Sequence, residues 1–462
     1  MNKLILACAA LLAGCAIQPD YKRPDVELPA AWKDSAQNPA KDKDGSWWRV
    51  YSDPELEKLV AEALARNANL QIAAARVDEA RALLVQTDAA LYPTVDGRFE
   101  RNRTLSSAAT GLLPPGIPRE RNAYIATLGV SYEIDLWGKL RASSQAARAD
   151  LLASEAARET VRITLAADVA KVWFSLRSLD AQVASTRRAV GLLEDGLRLQ
   201  KKRFEGGVIS EFDYRQLEAE AAGTRAQLPP LERDREVQEA VLAVLLGRSA
   251  KSIMEESFAR AAEDPSMALA PAVVPEGLPS ELLLRRPDLV EAEQRLIAAN
   301  ARIAAARAAM FPSIALTGYA GSEAQALSSL FTGPAGIWQL AFGVAGIIFD
   351  AGRREAQVDA ARAREQQLLA AYQGAIQNAF REVRSALATQ SRARESYDIE
   401  SARAAALAAT LRLALLRYRN GLASQLEVLD VERNLLAAVN SRHDALRAQR
   451  AAVADLYKAL GG

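Results

Sequence analysis

The sequence predicts a mainly α-helical chain built from two copies of one helix–β-hairpin–helix unit, with short strands of membrane-spanning length and helices that stay in water. Three observations predict it. Anchor residues recur along the 462-residue chain at a fixed spacing. Twice, helical periodicity gives way to alternation of period two and then returns. No proline occurs between Trp137 and Leu228 or after Pro334, which leaves two very long stretches free to stay helical.

The repeat is explicit in the residues. Leu70-Gln71-Ile72-Ala73-Ala74-Ala75-Arg76 aligns with Leu289-Val290-Glu291-Ala292-Glu293-Gln294-Arg295, and Tyr92-Pro93-Thr94 with Phe311-Pro312-Ser313, at an offset of 219. Farther on the offset is 214: it pairs Gly138 with Gly352, Arg203-Phe204 with Arg417-Tyr418, Gly207 with Gly421 and Leu246-Gly247 with Leu460-Gly461. The five residues of difference fall between Pro93 and Gly138, where a loop varies most easily.

Taken from the start, Met1-Asn2-Lys3 is basic and Leu4 to Ala13 is an apolar run of about ten residues, too short to cross a bilayer and shaped like a secretory signal. It closes on Leu12-Ala13-Gly14-Cys15, which looks like a bacterial lipobox with Cys15 as the acylated first residue after cleavage. Ala16 after the cysteine fits outer-membrane sorting. Residues 1–14 therefore read as the signal, 15–52 as a lipidated extended segment and 53–247 as the first repeat. Residues 248–286, with four prolines, read as a connecting segment, and 287–462 as the second repeat.

Within each repeat a helical spacing comes first, as in Leu59, Ala63, Leu70, Ala74, Val77 and Leu84. Strands are then expected at about 94–104 and 123–134, and at about 313–322 and 338–348. There Leu128, Val130 and Tyr132, or Trp338, Leu340, Phe342 and Val344, alternate with small or polar residues. Ten residues is the length of a tilted transmembrane strand. The helices that follow, from about Gly138 to Phe204 and from about Gly352 to Tyr418, would each run on the order of 100 Å. Helices of that length and alanine content pack on one another. Pro229-Pro230 has no counterpart in the second repeat, so a kink or break is expected there alone.

Four strands cannot close a barrel, and an open edge in lipid costs several kcal/mol for each unpaired group. Closure must therefore come from several chains. Two would give a barrel filled by its own side chains, whereas three leave a passage.

Composition removes other classes. With 58 Lys+Arg against 57 Asp+Glu the net charge is +1, which argues against binding nucleic acid through bulk charge. His443 is the single histidine, and Cys8 and Cys15 are the two cysteines. Metal and His-dependent catalytic sites are therefore hard to build, and no phosphate loop or nucleophile elbow occurs. Neither an enzyme nor a cofactor is expected, apart from covalent lipid on Cys15. No apolar run is long enough for a helical span. The rival reading is a non-conducting coiled-coil lipoprotein that tethers envelope components, which accounts for the anchor and the helices but not for the four alternating segments.

Candidate functional residues lie where the long helices reverse. Gly206-Gly207 and Asn420-Gly421 suit a tight reversal, because left-handed backbone costs them little. Asp213 and Glu427 sit three residues after Ser210 and Ser424, the spacing of a helix N-terminal capping box. Asp430 is too deep to cap, and a carboxylate among Leu426, Val428 and Leu429 calls for a partner or water.

The run Cys15-Ala16-Ile17-Gln18-Pro19-Asp20-Tyr21-Lys22-Arg23-Pro24, then Trp47-Trp48 and Asp53-Pro54-Glu55-Leu56, resembles the outer-membrane efflux lipoproteins of the TolC/OprM type, NodT subgroup. Asp135-Leu136-Trp137-Gly138-Lys139, Phe349-Asp350-Ala351-Gly352-Arg353 and the ending Leu456-Tyr457-Lys458-Ala459-Leu460-Gly461-Gly462 are similar too. The resemblance spans the mature chain. It implies a homotrimer in the outer membrane with a twelve-stranded barrel continued by a periplasmic α-helical barrel. It also implies a periplasmic adaptor protein and an inner-membrane transporter of the RND type as partners, with small molecules such as drugs as cargo. By the same resemblance Glu427 and Asp430 match acidic positions ringing a closed periplasmic aperture, Tyr418 a tyrosine that links neighbouring hairpins, and Asp213 one of its acidic partners. Glu427 stands where better-known members carry Asp, and the basic lock residue near Ser424 is not reproduced.

Overall fold

The computed structural model describes residues 21–25, 27, 46–109, 116–255, 258 and 285–462. Cys15 and the whole of 1–14 lie outside the described residues, as does most of the 248–286 segment.

In chain order the helices are α1 (Pro54–Arg66), α2 (Ala68–Ala89), α3 (Lys139–Glu205), α4 (Glu211–Arg225), α5 (Leu228–Leu245), α6 (Ala250–Glu255), α7 (Pro287–Ala308), α8 (Arg353–Arg419) and α9 (Gln425–Leu460). The strands are β1 (Thr94–Leu105), β2 (Glu120–Glu133), β3 (Ser313–Ala324) and β4 (Gly336–Ala345). Helix, strand hairpin and helix therefore follow one another twice. The two long helices α3 and α8 have 67 residues each. No described helix is long and apolar enough to cross a membrane.

Two units pack separately. The first holds the sheet and comprises the described residues of 1–25, Arg76–Glu155 and Glu291–Gln373. Its strands pair antiparallel in the order β1-β2-β3-β4. Cross-strand partners share a face, and the register Val95↔Val130↔Gly318↔Leu340 places one apolar stripe on that face. Phe99, Leu128, Trp338, Leu340, Phe342 and Val344 lie on the same face and are exposed, Trp338 to 79%. Asp96, Arg98, Glu100 and Asn102 alternate onto the opposite face, beside Thr127, Gly129 and Ser131. A soluble sheet would cover such an apolar face; here it stays open.

The family-type motif at the start of each long helix is a cap. Asp135 Oδ1 and Oδ2 accept from the backbone N–H of Leu140 and Arg141, and Asp350 accepts from Gly352 and Arg354. Each satisfies backbone donors that the first helical turn leaves open.

The second unit comprises the described residues of 26–75, Ala156–Val290 and Gly374–Gly462 and is helical. Its main core gathers Trp47, Trp48, Leu56, Val60, Val169, Trp173, Phe174, Leu242 and Leu246. Asp53 organises it. One carboxylate oxygen caps α1 by accepting from Glu55 and Leu56, and the other accepts from the Trp173 indole N–H at 2.7 Å. Trp47 stacks on Tyr457 with ring centroids 5.4 Å apart. Thus Trp47, Trp48, Asp53 and Tyr457 meet in one core.

Two breaks interrupt the expected helices. α4 ends at Arg225 and α5 begins at Leu228 with Pro229 and Pro230 in its first turn, whereas α9, the second-repeat counterpart, runs unbroken for 36 residues. The helical spacing before Pro93 is also split. Asn67 leaves helical geometry with ψ 129°, its Oδ1 caps α2, and its Nδ2 donates to the Leu245 carbonyl at 2.8 Å.

The duplication extends to packing. Gly247 and Gly461 both have positive φ (68° and 97°), and each closes its helix with a backbone bond from the following residue, Arg248 to Ala243 and Gly462 to Tyr457. Gly247 lies against the Arg66 carbonyl and Gly461 against that of Arg285, two positions themselves 219 apart. A Cβ on Gly247 would lie 2.2 Å from the Arg66 oxygen. Gly247→Ala should therefore cost about 2–4 kcal/mol, from left-handed strain together with overpacking against backbone. Gly374→Ala, inside α8 with open space around it, should instead gain about 0.5–1 kcal/mol. Thermal melting of the two variants in detergent checks both; equal melting temperatures would remove the close-approach argument.

Candidate functional site

The long helices reverse through two equivalent turns. After α3, Gly207 takes φ 71° and its N–H bonds the Phe204 carbonyl, while Val208 N–H bonds Arg203 at 2.8 Å. After α8, Gly421 takes φ 72°, Gly421 N–H bonds Tyr418, and Leu422 N–H bonds Arg417 at 2.9 Å. This paired pattern satisfies helix-terminal carbonyls, and a left-handed residue is what it demands. Only the second residue of each pair supplies that conformation. Gly206 and Asn420 remain at the helix end, where Asn420 Nδ2 donates to the Leu416 carbonyl.

The acidic residues next to the turns are engaged in capping. Ser210 Oγ accepts from the Asp213 N–H, and Asp213 Oδ2 accepts from the Ser210 hydroxyl at 2.7 Å. Ser424 and Glu427 form a complete reciprocal box. Asp430, the carboxylate that called for a partner, has two: Arg433 Nη2 at 2.5 Å and Asn434 Nδ2 at 3.2 Å. The same arginine reaches Glu220 of α4 at 3.8 Å.

Tyr418 hydrogen-bonds inside its own chain to Gln200 of α3, whose Nε2 lies 3.4 Å from the phenol oxygen and 3.0 Å from Gln425 Oε1. One buried amide thus ties α3, α8 and the start of α9 together. Its own Oε1 is buried without a partner. Among the described residues Tyr418 and Asp213 of one chain share no hydrogen bond. Sequence reasoning passed over Gln200, although a signal was present: it is the polar position on a stripe otherwise formed by Leu193, Leu197 and Phe204.

A second overlooked feature lies nearby in the same unit. A cleft of about 270 Å³ opens between α3, α4, α8 and α9, walled by Leu192, Leu193, Leu411, Leu435 and Val439. Glu432 lines it with Glu220, Arg188 and Arg433. Burial raises the Glu432 carboxyl above its ordinary value of 4.5, and the Glu220 carboxylate adds to the shift. Among the described residues Glu432 has no ion pair of its own.

The family model described as "Outer membrane efflux protein" matches residues 59–248 and 278–462. The chain is similar to the cation efflux system protein CusC of Escherichia coli, 34% identical over 465 residues, covering 100% of this chain and 98% of that protein. It is 33% identical to the probable outer membrane lipoprotein SilC of Salmonella typhimurium, covering 100% of this chain and 98% of that protein. Among solved structures, the open state of the Neisseria gonorrhoeae MtrE outer membrane channel superposes with a TM-score of 0.83 at 32% identity, covering 97% of this chain and 98% of that chain.

The cleft makes a pH prediction. A raised carboxyl holds its proton longer in the folded chain than in the unfolded one. Its stabilising contribution is therefore present below the ordinary value and is lost as pH rises through the raised one. Glu432→Gln, neutral throughout, should match the parent below the ordinary carboxyl value and be more stable than it once pH has risen past the raised one. Thermal melting across that range checks this, with Arg188, Glu220 and Arg433 left intact. Parallel curves would show that the carboxylate is fully hydrated.

Proposed function

The chain belongs to the outer membrane efflux protein family, a family of transport proteins rather than enzymes, and from that premise we propose how it conducts. It is an outer-membrane efflux channel. The observation that carries the reading is the four-stranded sheet with one open apolar face and two edges, β1 and β4, unpaired among the described residues. In lipid those edges must be paired. An even number of antiparallel strands lets β4 of one copy run antiparallel to β1 of the next, so identical copies close a ring with a single kind of joint. Three copies give twelve strands and a passage. The Trp338–Phe342 face then meets lipid, and the face with Asp96, Arg98, Glu100 and Asn102 lines water.

The long, charged helices α3 and α8 continue the conduit on the periplasmic side, and the turns at Gly207 and Gly421 form its tip. Cys15, lipidated, adds an anchor in the outer membrane. A periplasmic adaptor and an inner-membrane transporter of the RND type complete the assembly, which moves small molecules such as drugs outward through a passive channel. Cargo selection belongs to the pump.

Opening is a displacement of the hairpin tips. Tyr418 of one hairpin and Asp213 of its neighbour hold the closed state, while Glu427 and Asp430 repeat around the axis. Three like charges in a narrow aperture repel one another and attract cations. The Asp430–Arg433 pair tempers that repulsion without removing Glu427. Single-channel recording tests the lock: Tyr418→Phe combined with Asp213→Ala should raise closed-state conductance, and an unchanged trace would overturn it. Asp430→Ala should weaken block by divalent cations; equal block in variant and parent would take the ring out of the account. A tether without a pore would give neither conductance nor heat-modifiable trimers on a gel.

A further inference from the structure

The apolar face of the sheet ends, away from the long helices, in a small basic cluster. Tyr124 pairs with Arg101 across β1 and β2, and Asn122 pairs with Arg103. These residues share the face of Phe99, Leu128 and Val130, two residues per step beyond the apolar stripe. The Arg101 guanidinium lies over the Tyr124 ring, 5.7 Å from its centroid. Arg103 is held by Glu120 on the same face.

Arg101 differs from Arg98 and Arg103 in lacking a carboxylate. Arg98 is paired with Glu100 on the opposite face. No acid within ion-pair distance of Arg101 occurs among the described residues, and the intervening 110–115 contains no Asp or Glu. Ring closure does not change this. The segment that would lie against β1 in a neighbouring copy, residues 324–349, carries no charged residue at all. Nor can closure rotate the face, because side-chain parity along a strand is fixed. A planar fork of donors, oriented by an aromatic ring and facing lipid at headgroup depth, suits the tetrahedral oxygens of a phosphate.

We propose that Arg101, supported by Tyr124 and with Arg103 beside it, binds the phosphate group of a phosphorylated lipid in the outer leaflet. The proposal rests on the barrel reading above, because that reading sets the β1–β2 turn on the outer side. The bound lipid would wedge a fixed anionic headgroup against β1, the strand that makes the joint between copies, and so stiffen that joint. Simple snorkelling of a long basic side chain toward water would show no preference for phosphate.

Native mass spectrometry of the purified full-length channel in detergent, titrated with diphosphoryl lipid A and separately with phosphatidylcholine, tests it. The parent should retain the phosphorylated lipid preferentially. Arg101→Ala and Arg101→Gln should weaken that binding about fivefold, the effect of one basic residue at an anionic surface, whereas Arg98→Ala, on the opposite face, should leave it unchanged. Arg101→Lys, which keeps charge and loses the fork, should fall between. Equal retention of lipid A by parent and both neutral Arg101 variants, each checked as intact oligomer in the same spectra, would overturn the proposal. The orientation is read separately by labelling Ser107→Cys on intact cells with an impermeant maleimide. Absence of label would refute the outward placement while leaving the phosphate preference in detergent as measured.

Discussion

Everything in this chain follows from the requirement that a strand edge in lipid be paired. Backbone N–H and C=O groups have no water to turn to there, and each orphan costs several kcal/mol. A chain whose described residues form one four-stranded sheet is therefore incomplete alone, and its fold is a sector of a larger object. The two edges that must be paired, β1 and β4, differ in composition. β1 alternates Asp96, Arg98, Glu100 and Asn102 with Val95 and Phe99, while β4 carries no charge. Where the two meet at a joint, the charged edge of one copy lies beside the uncharged edge of the next.

Duplication solves the length problem economically. One unit must reverse direction at both ends, and the same devices appear in both copies at matched positions. An aspartate caps the start of each long helix, a left-handed glycine ends it, and a second left-handed glycine ends the return helix against a backbone carbonyl. Where the copies differ, the cause is local. Pro229 and Pro230 remove two donors from the α4–α5 path, so this helix must break while α9 continues.

Much of this was legible in the residues. Period two at Leu128–Tyr132 and Trp338–Val344, the absence of proline in α3 and α8, and the paired glycines each express a backbone requirement that leaves a local trace. The break at Asn67 did not, because the apolar period continues through it from Ala63 to Leu70. Only the tertiary bond from Asn67 to Leu245 makes the cap worth more than one further helical turn. The partner of Asp430 was within reach, since Arg433 is three residues on and faces the same way. Gln200 stands out as the polar position on an apolar stripe, but its partners, and the facing of Glu220 and Glu432, depend on which helices lie side by side. A long repetitive helix specifies its apolar stripe far better than its neighbours.

The distribution of apolar burial within the helical unit identifies which part can move. One cluster includes Trp47, Trp48, Trp173, Phe174 and Leu246 and is held further by the Asp53–Trp173 bond. Toward the turns the buried cluster shrinks to Leu193, Leu217, Ala221 and Leu429. Val208, Phe212, Leu422 and Leu426 are exposed there, at 56% or more. At that end Phe204 of α3 stacks on Tyr214 of α4 with centroids 5.5 Å apart, while between α3, α8 and α9 the link is polar: the amide of Gln200 between Tyr418 and Gln425, with one acceptor unpaired. Such contacts exchange for water at small net cost, because a typical hydrogen bond contributes only about 1 kcal/mol net, whereas displacing the large cluster would expose whole aromatic side chains at about 1.5–3 kcal/mol each. A separation of the hairpins that starts at the turns therefore exposes less buried apolar surface than one that starts at the large cluster. A conduit that must stay sealed along its walls while opening at one end needs that gradient.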